Sequence, residues 1–456
     1  MASTCTQSRF LSLCQEGDVV KIKEALDEVR SDPSAINDLL NCTSYPYHDW
    51  MPELGGGKLF DFKPLHYACA FGHHEVARML VDAGSRIDWA VRGTMAGNIT
   101  LLHLASFFVG NIDLIKFLLS VGGMSMINAQ SSNGVTPLMM AALGGHDMVT
   151  RLLVEAGAAI NVQSHNGKTP LIIAVQGDHF EAGIVLVNAG ADLNLQDKCG
   201  QTVLMKTLYA LDQRTRRGVY SWKNERRQRE VGFYLEQVRM LVESGAQVNV
   251  RDKRGQTALM MVIYMGYDEI VTMLLEAGAD VNIQDNNGRN ALMIALNEEN
   301  LEVARMLVDA GAHINVQDND GETALMMAVC PAKKEVYNGK DRNEEYGYYY
   351  LSTKKDAEEG FNLEQVSALL GAGALVDLQN KEGETALIKS AQIGDAKLAR
   401  ALLDAGAKEH FSDKTCWTAM KWARERQHRS VVKLFRGYQQ SKRGAAAPAT
   451  AAAQPP

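Results

Sequence analysis

Between Gly255 and Asn287 the chain alternates short apolar runs with Gly, Asp and Asn at fixed places. Ala258, Leu259 and Val262 fall on one face of a short helix, and Ile270, Val271, Leu274 and Leu275 recur at the spacing of a second helix buried on one side. Thr257 stands where its side-chain oxygen caps the first helix. Gly266 breaks that helix, Asp268 opens the second, and Gly278 ends it, since a residue without a Cβ enters the left-handed cap at little cost. Val281, Asn282 and Ile283 read as extended chain, and Asp285 with Gly288 fits a type I turn. The pattern predicts helix, turn, helix and finger.

The same pattern returns. Gly134, Gly167 and Gly200 are 33 residues apart, as are Gly255, Gly288 and Gly321. One unit of that length cannot bury enough apolar surface to stand alone, so its faces must be covered by the copies on either side. Copies begin near Asp61, Asn98, Gly134, Gly167, Gly200, Gly255, Gly288, Gly321, Gly383 and Cys416. Residues 7–30, with Phe10, Leu11, Leu13, Val19, Ile22, Leu26 and Val29, read as a degenerate helix pair that caps the first copy.

Gly134, Thr136, Pro137, Leu138 and Ala141, then Gly167, Thr169, Pro170, Leu171 and Ala174, follow the order Gly-x-Thr-Pro-Leu-x-x-Ala, and Pro64, Leu65, His66 and Ala68 match its later part. Leu152, Leu153, Gly157, Ala158 and Asn161 are echoed by Leu274, Leu275, Gly278, Ala279 and Asn282. In these residues the chain resembles the ankyrin repeat family. The resemblance implies a mainly all-α fold, a solenoid of about ten helix-turn-helix units with short β-turn fingers. Where that family usually has His, five copies carry Met139, Met205, Met260, Met293 and Met326, which suggests apolar packing in place of inter-repeat hydrogen bonds.

Two intervals are too long. Gly200 to Gly255 exceeds the period by 22 residues and Gly321 to Gly383 by 29, both between the first and second helix of a unit. The expected organisation is a cap and irregular loop over 1–60, a solenoid over 61–436 with insertions near 210–231 and 332–360, and an Ala/Pro-rich disordered tail over 437–456. The first insertion crowds Arg214, Arg216 and Arg217 near Trp222, and the second carries Tyr348, Tyr349 and Tyr350. The first reads as an Arg cluster that pairs with carboxylate or phosphate groups, or as an extended, solvated helical hairpin turning at Gly218, and the second as a loop that orders on contact or folds back on the solenoid edge.

Composition narrows the classes. No run of 18 apolar residues occurs, and the start lacks a basic stretch followed by an apolar one. The seven cysteines are scattered without C-x-x-C spacing, which suits a reducing compartment. The expectation is a soluble, cytoplasmic chain, with a secreted effector as the other possibility. Net charge is −7, yet residues 408–443 hold ten Lys or Arg against three acids. Such a basic end suits the polar outer face of a capping unit, or contact with nucleic acid or anionic lipid headgroups.

Catalytic signatures fail on inspection. Gly55, Gly56, Gly57 and Lys58 precede Leu59 where a phosphate loop needs Ser or Thr, and Val316 stands at the first ligand position of the calcium loop that Asp318, Asp320 and Gly321 suggest. Adjacent His73 and His74 lack metal-ligand spacing. No cofactor, metal or catalytic residue is expected.

The family resemblance implies a protein partner held by the finger tips and the ends of the first helices, on a concave face. Carried onto this chain, the tips are His165, Asn166, Lys198, Lys253, Arg254, Asn286, Asn287, Asn319, Asp320 and Lys381. The helix ends offer Phe71, Phe108, Tyr209, Tyr264 and Met265. The expected function is a non-enzymatic protein-protein interaction scaffold, the other reading being nucleic-acid or anionic-lipid binding through the Arg-rich insertion and the basic end.

Overall fold

The computed structural model describes residues 2–43, 59–93, 97–108, 110–217, 224–330 and 361–445. They contain twenty-three α-helices in two compact units, Met1–Lys253 and Arg254–Pro456. The architecture is an all-α helical repeat, as the 33-residue period predicts.

In the first unit, helices Ala2–Glu16 and Val19–Val29 pack on Pro64–Ala70 and His74–Asp82, so the N-terminal pair takes the places of an inner and an outer helix. The helix Pro33–Leu40 follows. The inner helices Pro64–Ala70, Leu101–Phe108, Pro137–Leu143, Pro170–Gln176 and Val203–Arg217 pack in sequence, each on the next. Outer helices His74–Asp82, Ile112–Ser120, Asp147–Glu155 and Phe180–Asn188 form a second row. Leu59–Phe60 pairs antiparallel with Arg92–Gly93. The second unit repeats the scheme with inner helices Ala258–Met265, Ala291–Asn297, Ala324–Val329, Ala386–Ile393 and Ala419–Glu425.

Burial explains the two helix types. Ala291 to Leu296 are all buried, because that inner helix packs between Ala258–Met265 and Ala324–Val329, whereas the outer helix Leu301–Asp309 buries only Val303, Ala304 and Leu307. Met139, Met205, Met260, Met293 and Met326 are at most 1% exposed. The thioether chain fills that position without needing a polar partner. His66 and His103 keep the hydrogen bond: His103 Nδ1 accepts from Thr100 N at 3.2 Å, so Nε2 carries the proton donated to the Val135 carbonyl of the next repeat at 2.9 Å.

Thr136, Thr169, Thr257, Thr323 and Thr385 each cap an inner helix by accepting from the third residue onward, at 3.2 to 3.3 Å. The period itself has a steric cause. Gly167 has φ +73°, and a Cβ there would lie 2.8 Å from the backbone nitrogen of Lys198 in the next finger. Where the register lacks Gly, the backbone keeps the left-handed conformation: Asp61, Asn98 and Cys416 have φ of 65°, 61° and 60°.

Two features differ from the sequence reading, and the helices of the first insertion agree with one of its two readings. Val281 and Asn282 form a turn and not an extended strand, because Asp280 Oδ1 accepts from Asn282 N at 2.9 Å. The first insertion lengthens two helices, Val203–Arg217 and Asn224–Glu243, to 15 and 20 residues. The terminal helix Arg429–Ala445 runs past Arg436, so the boundary drawn there falls inside a helix. The second insertion lies outside the described residues.

Candidate protein-interaction surface

Each finger turns on a side-chain acceptor. Asp197 Oδ1 accepts from Cys199 N at 2.8 Å and Gln201 N at 2.9 Å, and Asp285 and Asp318 do the same for their own fingers. Gly288 N donates to the Asp285 carbonyl at 2.9 Å, closing the expected turn. Successive tips then bond to each other through the backbone. In the first unit His165 N donates to the Asn133 carbonyl at 2.8 Å, Lys198 N to Asn166 at 3.0 Å and Lys253 N to Cys199 at 3.0 Å. In the second, Asn286 N donates to Arg254 at 2.9 Å, Asn319 N to Asn287 at 2.8 Å and Lys381 N to Asp320 at 2.8 Å. The ten predicted tip residues, His165, Asn166, Lys198, Lys253, Arg254, Asn286, Asn287, Asn319, Asp320 and Lys381, all have exposed side chains. A backbone that is fixed thus presents side chains to solvent.

Two polar ladders behind the tips escape the sequence reading. Gln196 Nε2 donates to the Gly200 carbonyl at 2.6 Å and to Arg251 of the next finger at 2.9 Å; Gln317 makes the equivalent bonds to Gly321 and Gln379 at 2.8 and 2.9 Å. Asn161, Asn194, Asn282 and Asn315 each accept from a backbone N–H one repeat on, at 2.7 to 2.9 Å. The signal was present, since Gln recurs four residues before Gly in six copies.

The predicted helix ends divide. Phe71 and Phe108 occupy the same register of consecutive repeats and are 43% and 37% exposed. Tyr209, Tyr264 and Met265 are half-buried. Tyr209 Oη accepts from Gln213 Nε2 at 3.0 Å, and the Arg289 guanidinium, held by Asp285 at 3.0 Å, lies 6.0 Å from the centre of the Tyr264 ring. Phe71 and Phe108 stand at the C-terminal ends of inner helices, about 10 Å along the axis from the finger end.

In the lengthened hairpin, Arg214 is engaged. Its guanidinium pairs with Asp178, whose other oxygen accepts from Tyr234 Oη at 2.6 Å. Tyr234 occupies the register of His146, whose Nε2 bonds the Phe107 carbonyl of the preceding repeat at 2.8 Å. The hairpin is therefore fastened at its base where regular copies use a histidine. The side chains of Arg216 and Arg217, and all of Trp222, Tyr348, Tyr349 and Tyr350, lie outside the described residues.

At the C-terminal end Trp422 Nε1 donates to Asp413 Oδ2 at 2.6 Å, Lys421 lies 4.5 Å from the Trp417 ring and Arg426 5.2 Å from Trp422. The last repeat covers its aromatic rings with its own cations.

The histidines of the inner helices and helix junctions serve the structure. His73 Nε2 bonds the Gln15 carbonyl at 2.8 Å, and burial holds His66 and His103 down to about 4, in the neutral form. Among the described residues no group of three or more His, Cys, Asp or Glu is placed to hold a metal, and no helix is long and apolar enough to cross a membrane.

A family model for ankyrin repeats, in three copies, matches residues 31–126, 102–197, 230–318, 277–337 and 356–443. Parts of the chain are similar to the E3 ubiquitin-protein ligase XBAT32 of Arabidopsis thaliana, 29% identical over 24% of this chain and 33% of that protein. Similarity also extends to the ankyrin repeat domain-containing protein SOWAHD of Homo sapiens, 37% identical over 20% of this chain and 29% of that protein. The chain spans about a third or less of the length of these relatives. With the matched segments covering most of its length, and with the tip ladder and Thr caps repeating in register, the chain belongs to the ankyrin repeat family.

Proposed function

We propose that the chain is a non-enzymatic scaffold that binds a partner protein through its finger tips, with Phe71 and Phe108 as an apolar contact in the first unit. The carrying observation is the tip ladder: backbone groups satisfied between neighbours, side chains exposed. Such a surface loses little conformational freedom on binding, so modest contacts yield useful affinity. Exposed Phe pairs add the kind of apolar area that dominates interface energy. Six free cysteines among the described residues suit the reducing cytoplasm as the place of action. One relative is named a ubiquitin ligase, but it is matched over a third of its length, and its activity is not carried over.

The test is affinity capture with quantitative mass spectrometry, followed by direct titration of each captured protein in purified form. Wild type is compared with a variant carrying Lys198→Ala, Lys253→Ala and Lys381→Ala. A partner that binds wild type and loses affinity for the variant supports the reading. Equal affinity for both, with unchanged circular dichroism, removes the fingers from the interface.

A further inference from the structure

The helix Arg429–Ala445 carries Arg429, Lys433, Arg436, Lys442 and Arg443 and no acid. Arg429, Lys433 and Arg436 are exposed and lie four and three residues apart, so they form one stripe about 10 Å long within about 60° of the helix circumference. Lys433 has the register of Arg400 on the outer helix Ala396–Asp404, which packs alongside. Exposed Lys397 and Arg400 continue the cationic surface there, about 8–10 Å away. Arg424 and Arg436 stand at the registers of Ala391 and Leu403, which are buried in the repeat before, so this flank bears cations where that repeat bears apolar contacts. Among the described residues the side chains of Lys397, Arg400, Arg424, Arg429, Lys433 and Arg436 make no ion pair or hydrogen bond, whereas Lys408 and Lys414 pair with Asp377 and Glu382. The acids on the two helices packed against Arg429–Ala445 are Asp404 and Glu425, both exposed and in no ion pair. A polar cap keeps the end of a solenoid soluble but does not require one sign of charge.

We infer that this stripe docks the second unit on an anionic phospholipid surface. The inference stands on the helix Arg429–Ala445 and is independent of the finger tips. Val431 and Phe435 are buried against the solenoid, so the helix meets the surface with its charged side and inserts nothing. A flat anionic surface needs neither a groove nor an apolar anchor, because its potential attracts Lys and Arg within a Debye length. Protein interfaces are anchored by aromatic and aliphatic side chains, and from Gly394 to Ser441 no large apolar side chain is exposed. Single-stranded nucleic acid stacks on aromatic rings, but Trp417 and Trp422 are covered by Lys421 and Arg426. A major groove sets phosphates on both flanks of an inserted helix, and here the cations occupy one narrow stripe.

The test is sedimentation of the full chain with sucrose-loaded vesicles of phosphatidylcholine, with and without about one-third phosphatidylserine, at low salt. The chain is expected to sediment with the anionic vesicles, to stay in solution with the neutral ones, and to be released as salt rises. The variant Arg429→Glu, Lys433→Glu, Arg436→Glu is expected to bind at least about tenfold more weakly. Should that reversal unfold the helix by circular dichroism, the neutral variant Arg429→Gln, Lys433→Gln, Arg436→Gln reads the same loss. The variant Arg78→Glu, Lys116→Glu, Arg151→Glu makes an equal change in net charge on exposed cations of the first unit's outer helices and leaves binding unchanged. No binding to anionic vesicles, equal binding by the reversed stripe, or equal losses from both triple reversals overturns the inference. So does tighter binding of duplex DNA or polyglutamate than of vesicles, lost on reversal of the stripe, which assigns it to nucleic acid or to an acidic protein. The finger variant Lys198→Ala, Lys253→Ala, Lys381→Ala is expected to keep its vesicle binding, so the two surfaces stand or fall separately.

Discussion

Lys206 Nζ lies 2.6 Å from Asp197 Oδ2 with both side chains sealed from solvent, tying a finger to the inner helix that follows it. Lys206 also donates to Gln201 Oε1 at 2.6 Å, while the second Asp197 oxygen organises the turn. At the same register other copies carry Met140, Ile173, Met261, Ile294 and Met327. Lys389 is the exception in the second unit, paired with Glu322 at 2.7 Å.

Removing only one charge of such a pair leaves the other buried and uncompensated. Lys206→Met is expected to cost about 3–5 kcal/mol in urea unfolding. Adding Asp197→Ser, the residue type found in the preceding finger at Ser164, is expected to recover most of that loss. If the double variant is no more stable than the single one, the cost lies in packing and not in the stranded carboxylate.

Glycine substitutions separate two reasons for the same residue. Gly157 has φ +89° with open space around a built Cβ, whereas Gly167 combines φ +73° with the Lys198 backbone 2.8 Å away. Gly157→Ala therefore costs only the left-handed backbone, about 1–2 kcal/mol. Gly167→Ala also forces two fingers apart, and its cost is expected to exceed 3 kcal/mol. Thermal unfolding of the two variants decides it; equal losses would show that the fingers give way freely.

Much of this arrangement was legible in the sequence, and the reasons are local. Thr257 caps a helix three residues away, Gly288 closes a turn on Asp285, and the inner methionines reveal a face without polar partners. What the sequence hid is non-local or disguised. The seat of Arg214 and Tyr234 is Asp178, 36 and 56 residues distant, so the basic stretch looks like a surface loop until the fold brings the acid to it. Tyr264 reads as an exposed aromatic but is half-buried under Arg289, a residue of the following copy. The second insertion offers too little apolar periodicity to decide its form.

Left-handed backbone without glycine is a reserve of stability. Gln427 has φ +59° at the register that Gly145 and Gly394 fill elsewhere, with φ of +71° and +90°. Its side chain is exposed. Gln427→Gly exchanges a strained conformation for a more flexible unfolded chain, with a net gain of about 0.5–1 kcal/mol expected from the larger first term. Differential scanning calorimetry measures it, and a lowered melting temperature would place the entropy term above the strain.

Acid sensitivity follows from the two retained histidines. His66 Nδ1 accepts from Lys63 N at 3.0 Å, so its proton sits on Nε2, facing the Trp89 carbonyl at 3.3 Å; His103 has the same tautomer. Protonating Nδ1 would set one donor against another in a buried site. Burial therefore lowers both groups from 6.5 to about 4, against a smaller opposing pull from the Trp89 and Val135 carbonyls. Because the folded value is depressed, the unfolded chain binds more protons between the two values. This stability is fully present above pH 6.5 and is lost as pH falls towards 4. At about 1.4 kcal/mol per unit the loss is on the order of 3 kcal/mol for each histidine. His66→Met with His103→Met installs the side chain that five other repeats use. Between pH 6.5 and 4.5 the urea midpoint of wild type is expected to fall more steeply than that of the double variant, whereas parallel curves would show that neither imidazole titrates with unfolding.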